Sequence, residues 1–258
     1  LKKLSLYFLF LSILIIGGCS NNEHSKTETS QPINSTDIEY PVSFAPIPDN
    51  FTAYYDKKAL DVKLSENNEI ETILPKNIQE HQSEIYFEAE LPLLNKTIVD
   101  WNHNNISFKA NSNELSNLYI EKIELFFKAG QNKDFNQINN YTDNFYNETK
   151  DNINDSTFIS EDLDKMSLKK IYGYDQLFNL QLIEGQLSFV LAGYFDYDYH
   201  PDYLDAPLEH KNQPLNFTFI FDSTKNKWLL DKMNTFNGSL DGLPKPEDND
   251  ASFVTKEF

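Results

Sequence analysis

Residues 111–135 read NSNELSNLYIEKIELFFKAGQNKDF, and the spacing within them decides the fold. Leu115, Leu118, Tyr119, Ile123, Phe126 and Phe127 recur at i, i+3 and i+4, so they form one apolar stripe along a helix. Asn111 or Ser112 can cap its start, Glu114 suits the positive helix end, and Gly130 can close it in the left-handed conformation. A shorter pattern follows, with Asp134 as cap and Phe135, Ile138 and Tyr141 beneath it, and Phe145–Ile153 reads as a further, polar helix. The acidic run Ser160–Asp164 reads as another helix start.

On the C-terminal side the period changes to that of strands. Leu168–Leu182 and Leu187–Tyr199 flank a Gly-containing hairpin turn at Ile183–Gln186, and Leu215–Asp222 and Lys227–Met233 flank Ser223–Asn226. Pro201–Pro214 reads as a long acidic loop between the pairs, and the chain after Asn237 loses periodicity. On the N-terminal side, β-prone stretches occur at Tyr40–Phe44, Phe51–Tyr55, Leu60–Leu64, Ile70–Leu74, Glu84–Ala89, Thr97–Trp101 and Ile106–Lys109, punctuated by Pro, Asn and Asp. The fold class is therefore α+β: a small all-β module, then helices packed on a curved antiparallel sheet.

Helix, short helices and long strands ending in Lys227-Trp228-Leu229-Leu230-Asp231-Lys232-Met233 resemble an NTF2-like cone. More narrowly, Ile120–Phe135 and the following Tyr141–Ile153 stretch, with its Phe145-Tyr146-Asn147-Glu148, resemble the C-terminal NTF2-like domain of the TcaA/YvbJ family of Gram-positive envelope proteins. The resemblance implies an extracellular module at the membrane–wall boundary. It also implies an N-terminal zinc ribbon with paired cysteines and a membrane helix, which this single-cysteine sequence departs from.

The N-terminus reads as an address. Lys2-Lys3 precede an apolar run from Leu4 to Ile16, shorter than the ~20 residues a permanent span needs. Gly17-Gly18-Cys19 then completes a pattern that resembles the bacterial lipobox, in which the cysteine takes a diacylglycerol, with acyl chains such as palmitate, and the peptide before it is removed. Two acyl chains hold a protein firmly where one binds only reversibly, each buried methylene contributing about 0.8 kcal/mol. The expected organisation is a signal peptide at 1–18, lipidated Cys19 and a flexible tether over 19–37, an all-β domain over 38–110, an NTF2-like domain over 111–236 and a loose acidic tail over 237–258.

Charge excludes one large class of function. There are 22 basic residues, all of them Lys, against 40 Asp and Glu, so the formal net charge is −18. Such a surface repels phosphate backbones and has no guanidinium fork to grip them, which rules out nucleic acid as a partner. With 40% apolar residues, a packed core is nevertheless expected.

No phosphate loop, dinucleotide fingerprint, His-Glu-x-x-His helix or Gly-x-Ser-x-Gly elbow occurs, so no cofactor is expected. The one constellation with chemical promise is Asp196, Asp198 and His200, which alternate along a strand and so share a face. They are candidate metal ligands or an acid–base set, but Phe195, Tyr197 and Tyr199 form the apolar set of the same strand and should claim the cone side. The aromatic supply, including Phe126, Phe127, Phe189, Phe217, Phe219 and Trp228, could line a ligand cavity or fill a core, and packing is the expectation. The reading is a non-catalytic, lipid-anchored binding or scaffold protein on the outer face of a Gram-positive membrane, with a wall or envelope protein as partner. The alternative is a small-ligand receptor or enzyme using the cone.

Overall fold

The computed structural model describes residues 40–44, 47–60, 63–64, 70–74, 81–158, 161–202, 209–235, 244–247 and 252–258. Cys19, the signal segment and the tether lie outside them. Strands occur in each of the seven expected N-terminal stretches, and a further short one, β3, lies between two of them: β1 (Tyr40–Phe44), β2 (Thr52–Tyr55), β3 (Lys58–Ala59), β4 (Lys63–Leu64), β5 (Ile70–Leu74), β6 (Tyr86–Ala89), β7 (Leu94–Asp100) and β8 (Ile106–Ala110). They form a three-stranded sheet in the order β1-β5-β4 and a five-stranded sheet in the order β3-β2-β6-β7-β8, antiparallel throughout.

The long helix α1 runs over Ser112–Asn132, with its buried stripe at Leu115, Tyr119, Ile123, Phe126 and Phe127. Gly130 does not close it. Lys133 does, at φ 55°, while Gly130 stays helical beneath Leu163, whose Cδ1 would lie 2.3 Å from an added Cβ. That position uses glycine's size rather than its backbone freedom. A 3-10 turn at Phe135–Gln137 follows, capped by the Asp134 side chain, and then α2 (Asp143–Asn154), whose cap Thr142 accepts a hydrogen bond from Phe145 N. The acidic run read as a helix start instead contributes β10 (Glu161–Asp162), paired with β9 (Thr157–Phe158), and a single 3-10 turn at Leu163–Lys165.

Four long strands follow: β11 (Met166–Ile183), β12 (Gln186–Tyr199), β13 (Glu209–Asp222) and β14 (Lys227–Thr235). Glu184 and Gly185 both take positive φ between Ile183 and Gln186, the two-residue turn that matches strand twist. β13 begins well before Leu215, inside the stretch read as a loop. Asn and Pro made Lys211–Pro214 look like a break, but His210 stacks on the Tyr197 ring at 4.7 Å, and Asn212, at φ 51°, gives its N–H to the Asp196 carboxylate at 2.7 Å. β14 pairs only with Leu215–Asp222, so Pro214 sits where β13 has lost that neighbour, and proline is tolerated there.

The tail is also ordered where it was read as loose. β15 (Phe253–Glu257) pairs with Lys170–Tyr174 of β11, so the second five-stranded sheet has the order β14-β13-β12-β11-β15. Polar alternation in so short a segment gave no sign of it.

Helix α1 lies close on this sheet because two glycines face each other across β11 and β12. Gly173 and Gly193 are ladder partners, and a Cβ on Gly173 would lie 2.6 Å from Ser116 O. Tyr119 reaches over Gly193 and donates its hydroxyl to Leu215 O at 3.2 Å. One continuous core then runs from Leu91 and Leu94 through the α1 stripe to Phe189, Phe217, Phe219 and Trp228. Trp228 Nε1 donates to Pro92 O at 2.7 Å, joining β14 to the turn before β7. A smaller cluster, Ile47, Ala53, Phe87 and Val99, holds the first five-stranded sheet.

Candidate functional site

The inside of the cone is filled. Phe189, Phe217 and Phe219 are fully buried, Phe127 meets Phe195 edge-on at 5.3 Å, and Phe189 meets Trp228 at 4.4 Å. Aromatic rings contribute area and mutual edge-to-face contacts to the core there, so the aromatic set read as a possible cavity wall is packing.

The acidic set lies on the other face. Phe195, Tyr197 and Tyr199 are buried inward, which turns Asp196 and Asp198 outward, as the alternation required. Asp196 accepts hydrogen bonds from Tyr172 Oη at 2.9 Å and from Asn212 N at 2.7 Å. Asp198 pairs with Lys169 at 3.2 Å, and His200 is exposed, its N–H bonded to Lys165 O. Each carboxylate is thus engaged by its own neighbours, and among the described residues no group of three ligand-type side chains converges.

Tyr172 carries the measurable signature of this face. Burial, the hydrogen bond to Asp196 and the charges of Glu257 and Glu247 push its hydroxyl from 10.0 up to about 12. Between those values the unfolded chain has released a proton that the folded chain keeps, so stability falls as pH rises through that window. Tyr119, raised well above 10.0 by burial, adds to the same slope. Tyr172→Phe is expected to make the fall between pH 10 and 12 shallower. Unfolding midpoints taken across that range check this, and an unchanged slope would remove Tyr172 from the effect.

At the opposite end of the same face, the sheet curls into an open groove of about 860 Å³. Its floor is Val190, Ile220 and Leu229, half-buried apolar side chains that point away from the core. Ser188, Thr218, Asn179 and Gln181 set hydroxyls and amides among them. One wall is the Ile183–Gln186 turn, the other is Asp231 with Thr142, whose Oγ1 donates to Asp231 Oδ1 at 2.8 Å. At the far corner, Asp222 accepts from the Lys225 ammonium at 2.8 Å and from the Thr224 hydroxyl, and those bonds hold its carboxyl well below 3.8 and its turn in place. An apolar floor with hydroxyl and amide groups, rimmed by Glu184, Asp222, Asp231 and Lys232, suits an extended polar ligand. Sequence reasoning passed over these residues. The only signal was the appearance of Val190, Ile220 and Leu229 at positions whose strand neighbours already supply the core.

A long helix laid across a twisted antiparallel sheet, with short helices at one end, defines an NTF2-like domain. Residues 120–234, from within α1 to the end of β14, match the family model of the YvbJ NTF2-like domain. The C-terminal part of the chain is thus similar to that family, as the resemblance of Ile120–Phe135 implied. No curated protein and no solved structure matches the chain.

Proposed function

We propose that the protein is a lipid-anchored, non-catalytic binding module at the boundary between the membrane and the cell wall of a Gram-positive bacterium. The observation that carries the binding reading is the filled cone beside an open outer groove, which moves recognition from the inside of the sheet to its outer face. Anchoring rests on the Lys2-Lys3, apolar run and Gly17-Gly18-Cys19 pattern, with diacylglycerol on Cys19. The 19–37 tether holds the folded part off the bilayer, and the excess of acidic residues favours a cationic partner.

Two measurements test this. Cys19→Ala should move the protein from the membrane fraction to the medium or leave its leader uncleaved. A processed protein that still sediments with membranes would end the lipoprotein reading. Wall saccharide and peptide fragments should raise the unfolding temperature of the native protein, by about 2.7 kcal/mol of added stability at 100 times the dissociation constant. Ser188→Trp, which fills the groove floor from an outward-facing position, should abolish that shift. A shift that survives Ser188→Trp would place the ligand elsewhere.

A further inference from the structure

Strand β15 sits on the sheet as a bound ligand would. Its ladder with β11 covers Lys170↔Glu257 to Tyr174↔Phe253, and Phe258 N→Lys169 O and Asp175 N→Ser252 O extend it at both ends. Successive side chains serve opposite faces. Phe253 enters a seat made by Tyr172, Tyr174 and Tyr194, with ring centroids 6.5, 5.3 and 6.1 Å away. Val254 packs from the other face against the core beneath α1. Two ion pairs of opposite polarity set direction and register: Lys256 with Glu124 of α1, and Glu257 with Lys170 at 3.0 Å. Without β15, this stretch of β11 would present unpaired backbone groups beside an aromatic seat, which is the kind of edge that recruits another strand.

The route to that seat is long. β14 and β15 lie on opposite edges of the five-stranded sheet, and seventeen residues separate them in the sequence. Four strand spacings are about 19 Å, whereas a stretch of that length reaches about 55 Å when extended. Once the hydrogen bond from Asn212 Nδ2 to Glu247 at 2.8 Å is released, the same reach carries β15 to the β11 edge of an adjacent molecule.

Independently of the groove, we propose that β15 is an exchangeable strand, and that the partner fitting the β11 edge at Lys170–Tyr174 is the Phe253–Glu257 segment of a second copy of this chain. The ligand seen on the edge is one that every copy carries, with its aromatic, aliphatic and charged positions already matched to Tyr172, Glu124 and Lys170. Reciprocal exchange makes the same β11–β15 contacts twice in a closed two-fold dimer and leaves neither β11 edge unpaired. The contacts being equal, the balance between closed monomer and exchanged dimer is set by protein concentration against the effective concentration of a chain's own tail. Crowding copies on one surface shifts it towards the dimer.

Two full-length proteins, both carrying Cys19→Ala, test this. One carries Lys170→Cys and the other Glu257→Cys, substitutions at exposed or half-exposed ladder partners. Each chain then has one thiol, so a disulfide between these two positions requires the tail of one molecule on the edge of the other. Air oxidation of the mixture should give at least about tenfold more covalent heterodimer than a mixture of Glu257→Cys with Lys225→Cys, because a ladder raises the effective concentration of the paired thiols. A synthetic peptide of residues 252–258 in excess should suppress the product. The double variant Lys170→Cys/Glu257→Cys reports whether the seat is formed. If it closes within the monomer while the mixed singles give no more heterodimer than the control, strand exchange is overturned.

Discussion

Gly193→Ala should cost about 3 kcal/mol or more of folding stability, at or above the upper end of what an overpacked core position usually loses. The added Cβ would stand 2.2 Å from Tyr172 O and 2.6 Å from Tyr119 Cε1. The first of these is backbone in the neighbouring strand and cannot rotate away. The second belongs to a ring held by its hydroxyl on Leu215 O, so moving it also breaks a buried hydrogen bond. Gly173→Ala should behave similarly, since its Cβ would meet Ser116 O at 2.6 Å and push the first turns of α1 off the sheet. Gly130→Ala is the contrasting case. Its clash at 2.3 Å is with the Cδ1 of Leu163, the end of a flexible side chain, and alanine raises helix propensity there. Urea midpoints for the three variants, read at a common slope, decide the matter. A Gly193→Ala protein no less stable than Gly130→Ala would mean that α1 is not seated on the glycine pair.

That glycine pair also shows where sequence reading ends. The α1 stripe was legible because one helix face repeats over many residues, and its period survives any detail of packing. The strands around Ile183–Gln186 were legible for the same reason, with a turn whose two positive φ values call for glycine. Gly130 was misread because a glycine near a helix end satisfies two rules at once, and only the position of Leu163 separates them. β13 was misread because Asn212 and Pro214 are loop residues by local preference. They are tolerated in the strand only because Asp196 takes one N–H and β14 has ended beside the other. β15 was missed since its partner, Lys170–Tyr174, is far away in sequence, and five alternating residues carry little pattern of their own. At the candidate site, the outward course of Asp196 and Asp198 was legible from Phe195, Tyr197 and Tyr199 alone. The groove was not, because it depends on sheet curvature rather than on any one strand.

Phe189→Ala tests the packed cone from the inside. Phe189 is fully buried, stacked on Phe219 at 5.4 Å and edge-on to Trp228 at 4.4 Å. Truncation removes its transfer energy and leaves a cavity that the long strands and α1 cannot collapse, so a loss of about 3–5 kcal/mol is expected. The void would be lined by apolar side chains of the core and would stay dry, which makes it a site for a benzene-sized molecule. The variant should therefore regain stability in the presence of benzene or indole, while the native protein shows no shift with either. Recovery confined to the variant means that the native cone has no room, and recognition then falls to the outer face. A native protein that is itself stabilised by these molecules would show that the cone opens, and the receptor reading would replace the groove.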